Sequence, residues 1–345
     1  LKMDFLGLRT MGVIGQSVKM INKRLSGEGL PNIEYLSIPL TDPYVYADIA
    51  KGKSYAVFQL ESPGMRSFMT ELFSDVSSRI KLIEKKYGFT GYYRVKVKNK
   101  SKAEGSNKED YMKEMTVLGQ ELFERLIAGV SLYRPGPMDY IPRYIEGMKN
   151  PEYIEYATPQ LESILKPTYG TIVYQEQVMS IVQVLAGYSL GRADLVRRAM
   201  GKKKADVMAI EAEYFIRGKK DANGNVEVPG CEGMGISVDV AEKVWEEMAD
   251  FCKYAFNKSH AGGYAMVAII TAWLKYYFPV EFMTAILNSI IDNAKKLKGY
   301  LSVCKEMNIE ILPPQVNKSE ELFSVNETGD SIVFGIKGIK NMEIG

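Results

Sequence analysis

Six cations, Arg192, Arg197, Arg198, Lys202, Lys203 and Lys204, fall within thirteen residues that contain one acid, Asp194. Guanidinium forks take phosphate oxygens two at a time and lysines add compact charge, so this run suits a triphosphate or a string of phosphodiesters. A solvated helix end favoured by the helix dipole is the competing reading. Gly201 interrupts the helix there and lets the following lysines turn toward whatever the arginines hold. A second group, Asn257-Lys258-Ser259-His260, gathers an amide, a cation, a hydroxyl and the chain's only imidazole beside Gly262 and Gly263. Those groups suit phosphate or a sugar hydroxyl; a helix cap with a bystander histidine explains them equally well. Asp4 sits in an otherwise apolar run, Met3 to Leu8, where a buried carboxylate needs either a neighbouring donor or a chemical role. Between Arg79 and Lys102 nine basic residues face a single acid, Glu84, with Tyr87, Phe89, Tyr92 and Tyr93 interleaved. Lys96, Lys98 and Lys100 are the candidates there for tracking a nucleic-acid backbone, although Tyr92 to Lys98 also alternates as a solvated hairpin strand does.

Elements that would position these groups are mostly helical. Periodicity predicts a short strand at residues 3–8, a helix from about Met11 to Leu25, a second short strand over Ser54 to Leu60, and a turn at Glu61-Ser62-Pro63-Gly64 starting a helix that ends near Phe73. Further helices are expected from about Met112 to Ser131, along the apolar face Val173, Val178, Ile181, Val182 and Leu185, and in two or three pieces between Val238 and Asn288, broken at residues 257–263. Residues 309–323 and 331–336 look like a smaller mixed segment with strands. The fold class that follows is mainly α, with a minor β component.

Composition narrows the function. With 44 Lys and Arg against 42 Asp and Glu the formal charge is only +2, so a polyanion must be held by local clusters. Cys231, Cys252 and Cys304 are far apart and one histidine is present, which excludes a zinc cage from neighbouring ligands and points to a reducing compartment. The apolar stretch from Tyr264 to Trp273 meets Lys275 and then Pro279, too soon for a membrane span of ~20 residues. The chain opens on Leu1 with no signal-peptide pattern and looks cut from something longer.

Several long words, in this order, resemble signature blocks of the alpha subunit of family C bacterial DNA polymerases: residues 2–10 (Lys-Met-Asp-Phe-Leu-Gly-Leu-Arg-Thr), Val57-Phe58-Gln59-Leu60-Glu61-Ser62, Tyr133-Arg134-Pro135-Gly136-Pro137, Tyr174-Gln175-Glu176-Gln177-Val178-Met179, residues 197–204, and Phe256-Asn257-Lys258-Ser259-His260. Where the family has Ser-His-Ala-Ala-Tyr, this chain continues His260-Ala261-Gly262-Gly263-Tyr264, which loosens the helix start. The resemblance implies the end of a palm domain at residues 1–10, a helical fingers domain at 11–300 with a basic insertion at about 75–119, and a mixed segment at 301–345 leading toward a helix-hairpin-helix-like region. It implies template-directed DNA elongation by two-metal phosphoryl transfer, with Asp4 as the third palm aspartate and a ligand of magnesium. The other two aspartates are expected upstream of Leu1, so this piece is not expected to polymerise alone. Carried onto this chain, the nucleotide contacts are Lys2, Arg134, Gln175, Arg197, Arg198, Lys202, Lys203, Lys204, Asn257, Lys258, Ser259 and His260. Implied partners are primer-template DNA and deoxynucleoside triphosphates and, for the full subunit, the sliding clamp, the clamp loader and the proofreading exonuclease subunit. A cytoplasmic location with no membrane contact is implied as well. The alternative is a non-catalytic nucleic-acid-binding module, whose DNA affinity would depend on salt and ignore nucleotide and magnesium; Asp4 argues against it, because a carboxylate among phosphates repels them without a metal.

Overall fold

The computed structural model describes residues 8–91, 106–201, 205–252 and 254–339. Its helices begin with α1 Arg9–Gly27, α2 Pro43–Ala50, α3 Pro63–Leu72, α4 Val76–Tyr87, α5 Ser106–Leu132 and α6 Ile141–Lys149. Next come α7 Glu162–Leu165, α8 Gln175–Ala186, α9 Leu190–Gly201, α10 Ala205–Arg217 and α11 Gly230–Gly233. The last four are α12 Val238–Cys252, α13 Lys258–Tyr277, α14 Pro279–Ser289 and α15 Ala294–Glu306. Short strands β1 Lys219–Lys220, β2 Val226–Val228, β3 Glu310–Leu312, β4 Ser324–Val325 and β5 Ser331–Val333 complete a mainly helical architecture. The chain divides into two compact units, residues 1–123 with 266–345, and residues 124–265.

In the first unit, sequence punctuation sets the helix ends. The Asp42 side chain accepts from the Tyr44 amide to start α2, the Ser62 hydroxyl accepts from the Met65 amide to start α3, and a proline follows each cap. Gly88, at φ 70°, ends α4. Helix α1 packs on α14, and Arg24 Nε donates to the buried Glu281 carboxylate at 2.6 Å. Trp273, Tyr46, Tyr111, Phe73, Phe278 and Phe282 are among the unit's largest fully buried side chains. The backbone of α5 passes so close to residue 41 that a Cβ on Gly119 would lie 1.9 Å from the Thr41 carbonyl oxygen. The expected mixed segment is a three-stranded sheet in the order β3-β5-β4, with β3 parallel and β4 antiparallel to β5.

Some expectations need correcting. Residues 54–60 are consecutive turns, not a strand: Ala56 and Gln59 take positive φ (63° and 64°), the Val57 and Leu60 amides donate to the Ser54 and Val57 carbonyls, and Ser54 Oγ donates to the Leu60 carbonyl. The turns bury Ala56, Val57 and Leu60, two of them adjacent, and not every second residue as a strand with one buried face would. The break expected at residues 257–263 ends earlier, since Asn257 Oδ1 accepts from the His260 amide at 2.9 Å and α13 runs unbroken through both glycines. The strand expected at 3–8 and the alternating stretch at 92–98 lie, apart from Leu8, outside the described residues.

The second unit is built around α8, whose Val178, Ile181, Val182 and Leu185 are fully buried as the apolar face required. Helices α9, α10 and α12 pack on it with Val196, Met200, Phe215, Trp245, Met248 and Phe251, and β1 pairs antiparallel with β2. Val173, expected on the same helical face, instead precedes α8 in extended backbone that reaches residue 256.

Candidate functional site

One isolated parallel bridge, Tyr174 with Phe256, assembles the site within the second unit. The Gln175 amide donates to the Phe256 carbonyl at 3.0 Å, and Gln175 Nε2 donates to the Ala255 carbonyl at 2.9 Å. These bonds lay the first turn of α8 against the segment entering α13, which brings two separate sequence words side by side.

Carboxylates organise the cations on both sides of this seam. Glu176, next to Gln175, accepts from Asn257 Nδ2 at 2.8 Å and from the Lys258 amide at 3.1 Å, so it holds the start of α13. Lys258 Nζ pairs with Glu124 at 2.9 Å and lies 5.3 Å from the Tyr174 ring centre. On the α9 side, Arg197 Nη1 donates to Gln175 Oε1 at 2.9 Å, while Arg197 Nε and Nη2 donate to Asp194 Oδ1 at 2.9 and 2.7 Å. Arg198 Nη2 reaches the other oxygen of Asp194 at 2.7 Å. Hydrogen bonds from Arg197, with the charge of both guanidinium groups, hold the Asp194 carboxyl below the usual carboxylate range. Arg198 is the more open of the pair, 62% exposed against 25% for Arg197.

Arg134 completes the array from the other end. Its guanidinium stacks 4.1 Å from the centre of the Phe256 ring, and it donates to the Tyr254 and Ser131 carbonyls at 2.8 and 2.9 Å. Partial burial pulls its pKa down. Gly136, at φ 101°, is required beside it, because a Cβ would lie 2.5 Å from the Tyr254 ring. His260 lies between rings, 5.3 Å from Phe256 and 4.8 Å from Tyr264, and Ser259 is exposed on the same turn.

Of the residues the sequence singled out, Arg134, Gln175, Arg197, Arg198, Asn257, Lys258, Ser259 and His260 therefore converge on one seam. Arg192, the sixth cation of the basic run, is committed elsewhere: it pairs with Glu211 and Glu227, both at 2.9 Å, and covers the Tyr188 and Tyr214 rings. Lys2, Asp4, Lys96, Lys98, Lys100, Lys202, Lys203 and Lys204 lie outside the described residues. Sequence reasoning missed Glu176 and Glu124, and treated Asp194 only as a dilution of charge. Glu176 stood inside the word at 174–179 and Asp194 three residues before Arg197, whereas nothing in the sequence marked Glu124.

Among the described residues no three His, Cys, Asp or Glu side chains are grouped to hold a metal ion, and no helix is long and apolar enough to cross a membrane. Asp4, the one carboxylate assigned to magnesium in the sequence, lies outside the described residues.

The sequence profile of the bacterial DNA polymerase III alpha subunit finger domain matches residues 10–78 and 108–223, more than half of the chain. The chain belongs to that family. Its whole length aligns with DNA polymerase III subunit alpha of Pasteurella multocida at 37% identity, of Haemophilus influenzae at 37% and of Escherichia coli K12 at 36%, in each case over 25% of the relative. The chain thus spans about a quarter of the length of these relatives. In fingers terms, Arg134, Gln175, Arg197 and Arg198 fall inside the matched blocks, whereas the turn at 257–260 lies beyond them.

Proposed function

We propose that this chain is the nucleotide-gripping part of a replicative DNA polymerase, and that the seam between α8, α9 and α13 receives the triphosphate of an incoming deoxynucleoside triphosphate. One observation carries the reading: the Tyr174–Phe256 bridge joins the Arg197–Arg198 pair, through Gln175, to the Asn257–His260 turn. Arg198 and Lys258, both substantially exposed, are the groups best able to take phosphate oxygens, with Lys202, Lys203, Lys204 and Lys2 supplying further charge. Arg197 and Arg134, each tied to backbone or side-chain oxygens, act mainly to hold the frame.

In the whole subunit this grip would serve template-directed elongation on primer-template DNA, with Lys96, Lys98 and Lys100 as DNA contacts. Two magnesium ions, held by Asp4 together with carboxylates elsewhere in the subunit, would supply the charge neutralisation that phosphoryl transfer needs. Clamp, clamp loader and proofreading partners belong to the full subunit in this reading. The test is Arg197→Ala with Arg198→Ala in a complete alpha subunit. The apparent nucleotide affinity should fall at least tenfold while DNA binding is largely kept. Unchanged nucleotide affinity, with DNA binding that weakens steeply with salt and ignores nucleotide, would instead favour a non-catalytic DNA-binding module.

A further inference from the structure

Asp194 is the one acid in the basic run, and it is engaged both by Arg198, proposed to take phosphate, and by Arg197, proposed to hold the frame. One oxygen accepts twice from Arg197 and the other accepts from Arg198, all at 2.7–2.9 Å. A single carboxylate thus spans two adjacent guanidinium groups as a bridging phosphate would. The two arginines differ in what remains to them. Arg197 is also held by Gln175, itself anchored to the Ala255 carbonyl, so it keeps its place when Asp194 is lost. Arg198 is exposed, and its pairing with Asp194 spans one helical turn. A phosphate that takes Arg198 through Nη2 must therefore displace Asp194 from it, and it then lies beside a carboxylate that Arg197 alone still pairs.

We infer that Asp194 is an internal competitor for the phosphate-binding Arg198, a carboxylate that occupies it until a polyphosphate replaces it and that sets how much negative charge a ligand must bring. The inference rests on the proposed nucleotide-binding role of the seam. Its consequence is selectivity by charge. A ligand with several phosphate groups overcomes both the exchange and the repulsion, whereas an uncharged nucleoside gains nothing from the exchange. Asp194 is on this account a positioning residue that acts through Arg198 and touches no reacting atom.

The experiment measures the affinity of the intact 345-residue chain for inorganic tripolyphosphate and for a deoxynucleoside by calorimetry, comparing the unmodified chain with Asp194→Asn, Asp194→Glu and Arg197→Ala/Arg198→Ala. Removing a unit charge that competes at contact distance should tighten tripolyphosphate binding by Asp194→Asn roughly tenfold at low salt, less at higher salt, and leave the deoxynucleoside unaffected. Asp194→Glu keeps the competing charge and should stay within about threefold of the unmodified chain. Unfolding midpoints of all variants separate binding effects from lost structure, and Asp194→Ala substitutes for any asparagine variant that unfolds early. Weaker or unchanged tripolyphosphate binding in the folded charge-removing variant, with the double alanine variant still impaired, overturns the competitor role and leaves the proposed site standing. Binding by the unmodified chain that is absent, or untouched by the double alanine change, overturns the proposed site and this inference with it.

Discussion

Replacing Asp42 by asparagine should change stability in opposite directions at low and high pH. The Asp42 side chain is completely buried, accepting from Tyr277 Oη at 2.6 Å and from the Tyr44 amide at 3.0 Å. Burial pushes its pKa up from 3.8 to about 6, against the downward pull of the bonds from Tyr277, Tyr44 and Val45. The folded value lies above the unfolded one, so the associated stability is fully present below pH 3.8 and lost as pH rises through 6. At about 1.4 kcal/mol per pH unit, that interval corresponds to about 3 kcal/mol, roughly half of it between pH 5 and 8. Asparagine removes this dependence, and it loses one acceptor at a constant cost of about 1–2 kcal/mol. Asp42→Asn should therefore be less stable than the natural chain by about 1 kcal/mol at pH 4 and more stable by about 1–2 kcal/mol at pH 8, crossing near pH 5. Denaturant unfolding followed by circular dichroism at pH 4, 5, 6 and 8 reads this directly. A stability difference that stays the same within about 0.5 kcal/mol across that range would refute the assignment of a buried, ionising carboxyl. Tyr277→Phe, which removes the strongest compensating bond, should shift the sensitive window to higher pH.

Other substitutions probe packing and the seam. Gly119→Ala places a methyl group 1.9 Å from the Thr41 carbonyl oxygen, a backbone atom that cannot swing aside, and should destabilise the first unit by about 3 kcal/mol or more in the same unfolding assay. Glu176→Gln keeps the shape but weakens the hold on Asn257 and the Lys258 amide. It should raise hydrogen exchange at residues 257–260 several-fold while the unfolding midpoint changes little, and equal exchange in both proteins would remove Glu176 from the frame of the site.

Helices and the pieces of the site were legible in the sequence; their juxtaposition was not. The α8 face was visible because Val178, Ile181, Val182 and Leu185 recur at helical spacing, and Gly88, Ser62 and Asp42 mark helix ends by local chemistry. Residues 54–60 failed because two positive-φ residues, Ala56 and Gln59, are not of the types that usually signal such turns. The run at 192–204 likewise reads as one positive surface in sequence. In three dimensions Arg192 faces the Glu211 and Glu227 carboxylates, and Arg197 with Arg198 converges on Asp194. Which cation meets which carboxylate depends on helix rotation and on partners up to 35 residues away, as for Arg192 and Glu227, and composition carries no trace of either.

The bridge between Tyr174 and Phe256 also orders events in time. A ribosome adding about 5–20 residues per second delivers the two halves of this seam on the order of ten seconds apart. Through that interval α8 and α9 can already pack on one another, since their shared apolar face is complete by residue 200. The Arg197–Asp194–Gln175 set is then present without the turn that completes it. If the seam holds phosphate as proposed, that capacity would switch on late in synthesis of the unit, and the early chain would carry the basic run at 192–204 partly neutralised by its own Asp194.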